Sequence, residues 1–111
     1  MQSFILFFQF LVGHAIADFA LQSGVMGAGK NRNNHIHRKM GKHFPDWYYW
    51  LSAHALIHGG VVYFITGNWW LGLVETVLHW IIDFAKCEDW INIHQDQALH
   101  IGCKFGYCFF I

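Results

Sequence analysis

Histidine and carboxylate side chains recur four residues apart within each apolar stretch of this 111-residue chain. The members of this set, called the His/acid set below, are His14, Asp18, His54, His58, Glu75, His79, Asp83, Asp96 and His100. Because residues four apart lie above one another on one face of an α-helix, each stretch directs its members to one side. Imidazole and carboxylate ligands without thiolate suit Zn, Mn, Fe or Co. The spacing therefore predicts a divalent-metal site built from several helices, with zinc as the first choice of metal.

Charge indicates how many ions such a site would hold. A charged group at the centre of a bilayer costs at least about 2.5–3.5 kcal/mol. The apolar stretches contain four carboxylates, and only Lys86 and Lys104 lie near them as basic partners. Two divalent ions would balance four acids, and helix bundles hold dinuclear centres with such ligands. We therefore expect a dinuclear site, in which Glu75 or Asp83 is either a ligand or the general base of a reaction.

Two other roles use the same residue types and stay open at this point. Histidines and acids inside a membrane also form proton relays or structural hydrogen-bonded networks. Haem is the less favoured cofactor, because a pair of axial histidines would leave the four acids without a role.

Four apolar segments must position the His/acid set, at about residues 3–21, 47–65, 69–85 and 91–111. The chain is 55% hydrophobic and 13% charged, which is typical of an integral membrane protein and unusual for a small soluble domain. A transmembrane helix needs about 20 apolar residues, so the fourth segment is expected to be short or re-entrant. We predict an all-α integral membrane bundle of about four transmembrane helices, forming a single domain over residues 1–111.

The connection at residues 24–46 sets the predicted orientation. It carries five of the seven basic residues of the chain, namely Lys30, Arg32, Arg38, Lys39 and Lys42. By the positive-inside rule this connection faces the cytoplasm. The first segment has no basic residue before its apolar run, so we expect it to be retained as a helix rather than cleaved as a signal peptide. The expected location is a multi-pass arrangement in a cytoplasmic membrane.

Composition argues against several classes of protein. Seven basic and seven acidic residues leave no net charge, so nucleic acid is not an expected partner. Cys87, Cys103 and Cys108 form no CxxC pair, which disfavours a disulfide scaffold and a structural thiolate zinc site. Membrane lipid is the expected partner, and a homo-oligomer is compatible with so small a chain.

The motifs resemble those of a family of small bacterial and phage membrane proteins known as domain of unknown function 3307. Residues 14–22, HAIADFALQ, resemble its HxxxDFxLQ opening, and residues 54–58 resemble its HxxxH motif. Residues 75–86 resemble its ExxxHxxxDxxK block, residues 96–100 resemble its DQxxH motif, and Lys30 falls where the family has a lysine. The resemblance implies a protein of the bacterial inner membrane whose motif residues act as one set. It implies no particular activity.

The first function hypothesis is a metal-dependent hydrolase that acts on a lipid or lipid-linked substrate, because a bound divalent ion polarises the substrate and activates water. Gln22, Lys86 and Gln97 lie at helix ends, where they could orient an anionic headgroup. The alternatives are a component of a proton or divalent-cation transporter or channel, and a phage or host membrane interaction factor.

Overall fold

A computed structural model describes residues 2–110, and these residues form helices with no strand among them. The helices are α1 (Gln2–Ala15), which continues into a π-helical turn (Ile16–Ala20), then α2 (Gly24–Gly29), α3 (Ile36–Met40), α4 (Trp47–Thr66), α5 (Trp69–Cys87) and α6 (Ile93–Tyr107). The predicted all-α class is confirmed.

Helices α4 and α5 form the antiparallel hairpin at the centre of the fold. Gly67 ends α4 in the left-handed conformation, with φ of 68°, and the side chain of Asn68 accepts hydrogen bonds from the first backbone N–H groups of α5. Gly59 and Gly72 allow the two backbones to approach, since a Cβ at position 59 would lie 2.6 Å from the Gly72 carbonyl oxygen. This close approach brings the histidines of α4 beside those of α5.

Helix α6 has a well-defined start. Asn92 and Gln95 form a capping box, in which each side chain accepts a hydrogen bond from the backbone N–H of the other residue. The helix has 15 residues, a length of about 22 Å, which is less than the roughly 30 Å thickness of a bilayer's hydrocarbon core. The cap fixes Asp96 in the first turn, where it points into the bundle and is buried.

The interior is polar and the exterior is apolar. Over residues 2–110, eleven polar or charged side chains are buried: His14, Asp18, Lys30, His54, His58, Glu75, His79, Asp83, Asp96, His100 and Lys104. The buried hydrophobic cluster is small and consists of Phe10, Val62, Leu71 and Tyr107. Large apolar side chains instead face outward along the helices; Phe64 is 92% exposed and Phe4 is 79% exposed. This distribution is the reverse of that in a water-soluble domain.

Within residues 2–110, the helix over Gln2–Ala20 is the one that is long and apolar enough to cross a membrane by length and composition. The same finding would fit a core helix or a signal sequence near an N-terminus. The four spans and the multi-pass location that the sequence predicts therefore stay predictions.

The connection at residues 24–46 contains two short helices and is fastened to the hairpin. Arg32 donates a hydrogen bond to Glu88, and Asn33 donates to the Cys87 carbonyl oxygen at 3.2 Å. Hydrogen bonding to Arg32 holds the pKa of Glu88 below its usual range. Gly29 packs so closely on Trp50 that a Cβ there would lie 2.6 Å from the indole ring. These contacts hold Lys30 over the end of α5.

Candidate metal centre

The fold brings every member of the His/acid set into one buried cluster. The members come from α1, the π-helical turn, α4, α5 and α6, and none of their residues is more than 8% exposed. Each helix contributes the face that its four-residue spacing defines. The convergence of these faces is what the sequence predicted for the set as a whole.

Four residues lie close enough to hold one metal ion: Asp18, His54, His58 and His79 each offer a ligand atom, and these atoms lie within 4.8 Å of one another. Asp18 Oδ1 is 3.2 Å from His54 Nε2 and 3.3 Å from His58 Nε2. Ligand atoms around a tetrahedral zinc ion, at bond lengths of about 2.0–2.1 Å, stand about 3.3 Å apart. The distances from Asp18 Oδ1 to His54 Nε2 and to His58 Nε2 already have about that length.

Orphaned nitrogen atoms at this position support a ligand role. Both ring nitrogens of His79, and Nε2 of His58, are buried without a hydrogen-bond partner among the described residues. A buried polar atom left unpaired costs about 1–3 kcal/mol. His58 Nε2 lacks a hydrogen bond even though Asp18 Oδ1 is only 3.3 Å away, so their directions do not suit one. An ion bound here would satisfy His58 Nε2 and one nitrogen of the His79 ring, since each imidazole offers one ligand atom to an ion.

Asp18 owes its position to the π-helical turn. Leu21 N–H donates to the Ile16 carbonyl oxygen at 2.8 Å, five residues back, so one extra residue is accommodated in this turn. Such π-bulges occur often at functional sites. With 8% exposure, Asp18 is also the most accessible of the four candidate ligands.

Glu75 lies behind two of the candidate ligands. Its Oε2 is 3.4 Å from His79 Nδ1 and 4.0 Å from His58 Nδ1, and His58 presents its other nitrogen, Nε2, to Asp18. A carboxylate in this place typically accepts the second ring N–H of a metal-binding histidine and fixes its tautomer. Lys104 Nζ and Tyr107 Oη donate to Glu75 at 2.6 and 2.8 Å, which holds the carboxylate in place.

Besides Lys86 and Lys104, which the sequence indicated, the acids have Lys30 as a basic partner. Lys30 Nζ donates to Asp83 Oδ2 at 2.7 Å, and Lys104 pairs with Glu75; both lysines are buried. The sequence-based count missed Lys30 because this residue reaches α5 only when the connection folds back. Four buried carboxylates and two buried lysines leave two negative charges, the charge that one divalent ion balances. The charge argument for a second ion therefore fails.

His14 and Asp96 join Gln97 in a hydrogen-bonded group beside the four candidate ligands. His14 Nε2 lies 2.9 Å from Gln97 Oε1, and Gln97 Nε2 donates to Asp18 Oδ2 at 2.8 Å and to Asp96 Oδ2 at 3.1 Å. His100 Nε2 is 3.2 Å from Asp96 Oδ1. These contacts make the first turn of α6 a support for the carboxylate of Asp18.

Three imidazole rings stack in the middle of the cluster. The ring centroids of His58 and His79 are 3.6 Å apart, and those of His79 and His100 are 4.1 Å apart, with interplanar angles of 18° and 21°. Adjacent positive rings would repel each other at these distances. The stack thus suits neutral imidazole, which is the form that binds metal.

The three residues expected to bind a headgroup occupy different places. Gln97 lies inside the hydrogen-bonded group. Gln22 is half-buried, and its amide donates to the Asp18 carbonyl oxygen at 3.3 Å. Lys86 is half-buried and lines a polar groove at the surface, and its Nζ lies 3.3 Å from Asp83 Oδ1.

Comparisons with known proteins place the chain in a wider group. The family model described as "Protein of unknown function (DUF3307)" matches residues 6–103, a range that includes the whole His/acid set. This match confirms the resemblance drawn from the sequence motifs. No curated protein and no solved structure matches the chain.

Proposed function

The chain belongs to DUF3307, a family of proteins of unknown function, and we propose that it is a membrane protein that holds one divalent metal ion. The ligands are His54, His58, His79 and Asp18. The observation that carries this proposal is the buried His79 ring: neither of its nitrogens has a hydrogen-bond partner among the described residues, and one of them lies within 4.8 Å of the ligand atoms of the other three candidates. Three nitrogens and one oxygen favour zinc, with Mn, Fe and Co as the other ions that suit this set.

The polar interior and apolar exterior support a membrane location. Exposed phenylalanines on α1 and α4 would cost free energy in water and gain it in lipid. The histidines of α4, and the histidine and acids of α5, lower the hydropathy of those helices, although the fold hides them from any lipid. Composition alone therefore understates how apolar the outer surface of the hairpin is. We propose that the bundle sits in the bacterial inner membrane as a multi-pass protein with residues 24–46 on the cytoplasmic side.

Metal analysis tests the centre. Protein purified in detergent without chelator should contain about one zinc per chain by elemental analysis. His79→Ala should lose it, and the control His94→Ala should keep it because His94 is exposed on the first turn of α6. Circular dichroism shows whether each variant keeps its helices. A folded wild-type protein that binds no zinc even when zinc is supplied would contradict the proposal.

Hydrolysis of a lipid or lipid-linked ester or phosphoester is the activity that we propose for this centre. A bound divalent ion would polarise the substrate oxygen and supply hydroxide near neutral pH; with four protein ligands this requires water as a fifth ligand. Asp18 is the ligand nearest the surface, so its side is where water or substrate would enter. Glu75 and Asp83 are each engaged by a buried lysine, which makes them poorer general bases than the sequence suggested.

Turnover of defined substrates tests this activity. Zinc-loaded protein should cleave bis(p-nitrophenyl) phosphate or phosphatidylglycerol in mixed micelles. Asp18→Asn should be inactive, while His94→Ala should match the wild type. Full zinc occupancy without cleavage of any phosphoester or carboxylic ester would support the metal centre and contradict the proposed hydrolase activity.

Passage of protons or cations is a second candidate, favoured by one observation. A chain of contacts, none longer than 4.0 Å, runs from Lys30 through Asp83, His79 and Glu75 to Tyr107. Such chains of ionisable groups serve as proton relays in membranes. Protein reconstituted in vesicles would then dissipate a pH gradient, and His79→Ala would abolish the flux. Tight, stoichiometric zinc without flux would exclude this candidate.

A further inference from the structure

A groove runs along the outside of the bundle between α1 and α4. Among the side chains that line it, Gln9 is the one polar group, and the others are apolar or glycine. Only 28% of the residues in the membrane-length window of Gln2–Ala20 are buried inside the chain, so most of α1 faces outward. The groove is therefore part of the surface that the proposed membrane location would expose to lipid.

Gln9 is out of place on this surface. Its side chain is exposed in the middle of α1, and it makes no hydrogen bond with the part of the chain that the structure describes. A carboxamide in hydrocarbon without a partner is strongly disfavoured. A lipid acyl chain offers neither a donor nor an acceptor, so an acyl chain cannot be the occupant that satisfies this amide.

The shape of the groove matches an element of the same surface. A Cβ added at Gly60 would meet nothing within 4 Å, so the floor of the groove is open there. Phe64 lies one helical turn further along α4 on the same face, and its side chain is 92% exposed. A protruding ring and an open groove thus lie side by side, which is the arrangement that a two-fold axis makes self-complementary.

We propose that a second copy of this chain occupies the groove in a two-fold symmetric dimer. A carboxamide is both donor and acceptor, so Gln9 of each copy satisfies the other across the axis. The Phe64 ring of each copy enters the groove beside Gly60 of the other. The inference rests on the membrane part of the proposed function and is independent of the metal centre.

Energy transfer between labelled copies tests the dimer. Full-length chain labelled with donor or acceptor dye is reconstituted together in phosphatidylcholine–phosphatidylglycerol vesicles and diluted with lipid. The wild type should show saturable transfer with a defined dissociation constant. Gln9→Leu, which keeps the volume and removes the amide, should weaken association about 3- to 30-fold. Gly60→Ile should abolish it.

Gly102→Ile is the matched control, because Gly102 is also an exposed helical glycine whose added Cβ would meet nothing within 4 Å. It lies on α6, away from the groove, and should associate like the wild type. Transfer no greater than random proximity in the wild type, as when lipid fills the groove, would overturn the dimer. Equal dissociation constants for wild type, Gln9→Leu and Gly60→Ile would overturn it as well. Failure to enter vesicles would instead count against the membrane location, and zinc content reports the metal centre separately.

Discussion

The buried acids of α5 and those of the π-helical turn and α6 have different kinds of partner. Glu75 and Asp83 each receive a short hydrogen bond from a buried lysine. Asp18 and Asp96 face imidazole rings and the Gln97 amide, which carry no fixed charge. The protein supplies its own cations to one pair of acids, and the other pair has a deficit that a bound cation would remove. This difference favours one ion over two in the proposed centre.

Replacing the lysine that pairs with one of the two α5 acids should cause the largest loss of stability. Lys104→Met leaves Glu75 buried without its partner, and breaking a buried ion pair typically costs about 3–5 kcal/mol. We expect a loss of that size in the free energy of unfolding, measured by denaturant titration in detergent micelles. The double variant Lys104→Met/Glu75→Gln should recover part of the loss.

Lys42→Met serves as the control, because Lys42 is exposed in the connection. If Lys104→Met and Lys42→Met lowered the free energy of unfolding by the same amount, Lys104 and Glu75 would not form a stabilising buried ion pair.

Removing the charge of Asp18 tests the second pair. Asp18→Asn keeps the shape and one oxygen but removes the anionic ligand. Loss of an outer-shell partner typically lowers metal affinity about 10–100-fold, and loss of a ligand should exceed that range. Competition with a zinc chelator measures the affinity. An unchanged zinc affinity in Asp18→Asn would show that the negative charge of Asp18 does not contribute to binding the ion.

Much of this arrangement follows from sequence. The four-residue spacing places each helix's histidines and acids on one face, and burial of that face brings the set together. Extending the same spacing along α6 from Asp96 and His100 reaches Lys104, and Tyr107 follows on that face, so these two partners of Glu75 were within reach of the pattern. The sequence-based count named Lys104 as a basic partner of the acids, but it did not pair it with Glu75 and left Tyr107 out, because it treated each apolar segment separately.

Other features depend on tertiary contacts that no local pattern reports. Lys30 reaches Asp83 across 53 positions of sequence, after the connection folds back onto α5. The π-helical turn that carries Asp18 differs from an α-helical turn by one accommodated residue, and no residue type in Ile16–Ala20 demands it. The charge count behind the expected dinuclear centre left Lys30 out for the first of these reasons.

Loosening the carboxylate behind the histidines should have a smaller effect. Tyr107→Phe removes one hydrogen bond to Glu75, worth about 0.5–1.5 kcal/mol, while the Lys104 pair remains. We expect zinc affinity to fall by about tenfold or less, and the visible spectrum of the Co²⁺-substituted protein to shift. Phe105→Leu, on the exposed face of the same helix, should change neither. A Tyr107→Phe spectrum identical to that of the wild type would mean that Glu75 does not orient the ligands.

A substitution in the ion pair of Arg32 and Glu88, at the surface, should have the smallest effect on zinc content and stability. The hydrogen bond from Arg32 lowers the pKa of Glu88, so its contribution to stability is present at neutral pH and is lost as Glu88 is protonated in acid. Solvent and salt screen a pair at the surface. Glu88→Gln should therefore leave zinc content and the melting temperature at pH 7 close to those of the wild type. A large loss of zinc would mean that the connection, and not only Lys30, controls the centre.

The X-ray absorption spectrum of the zinc-loaded protein tests the central claim most directly. It reports the number, type and distance of the atoms bound to the metal. We predict one zinc ion with four nitrogen or oxygen neighbours at about 2.0–2.1 Å, with the multiple-scattering features of imidazole. A sulfur neighbour at about 2.3 Å, or a shell of oxygens without imidazole, would contradict a centre made of three histidines and Asp18.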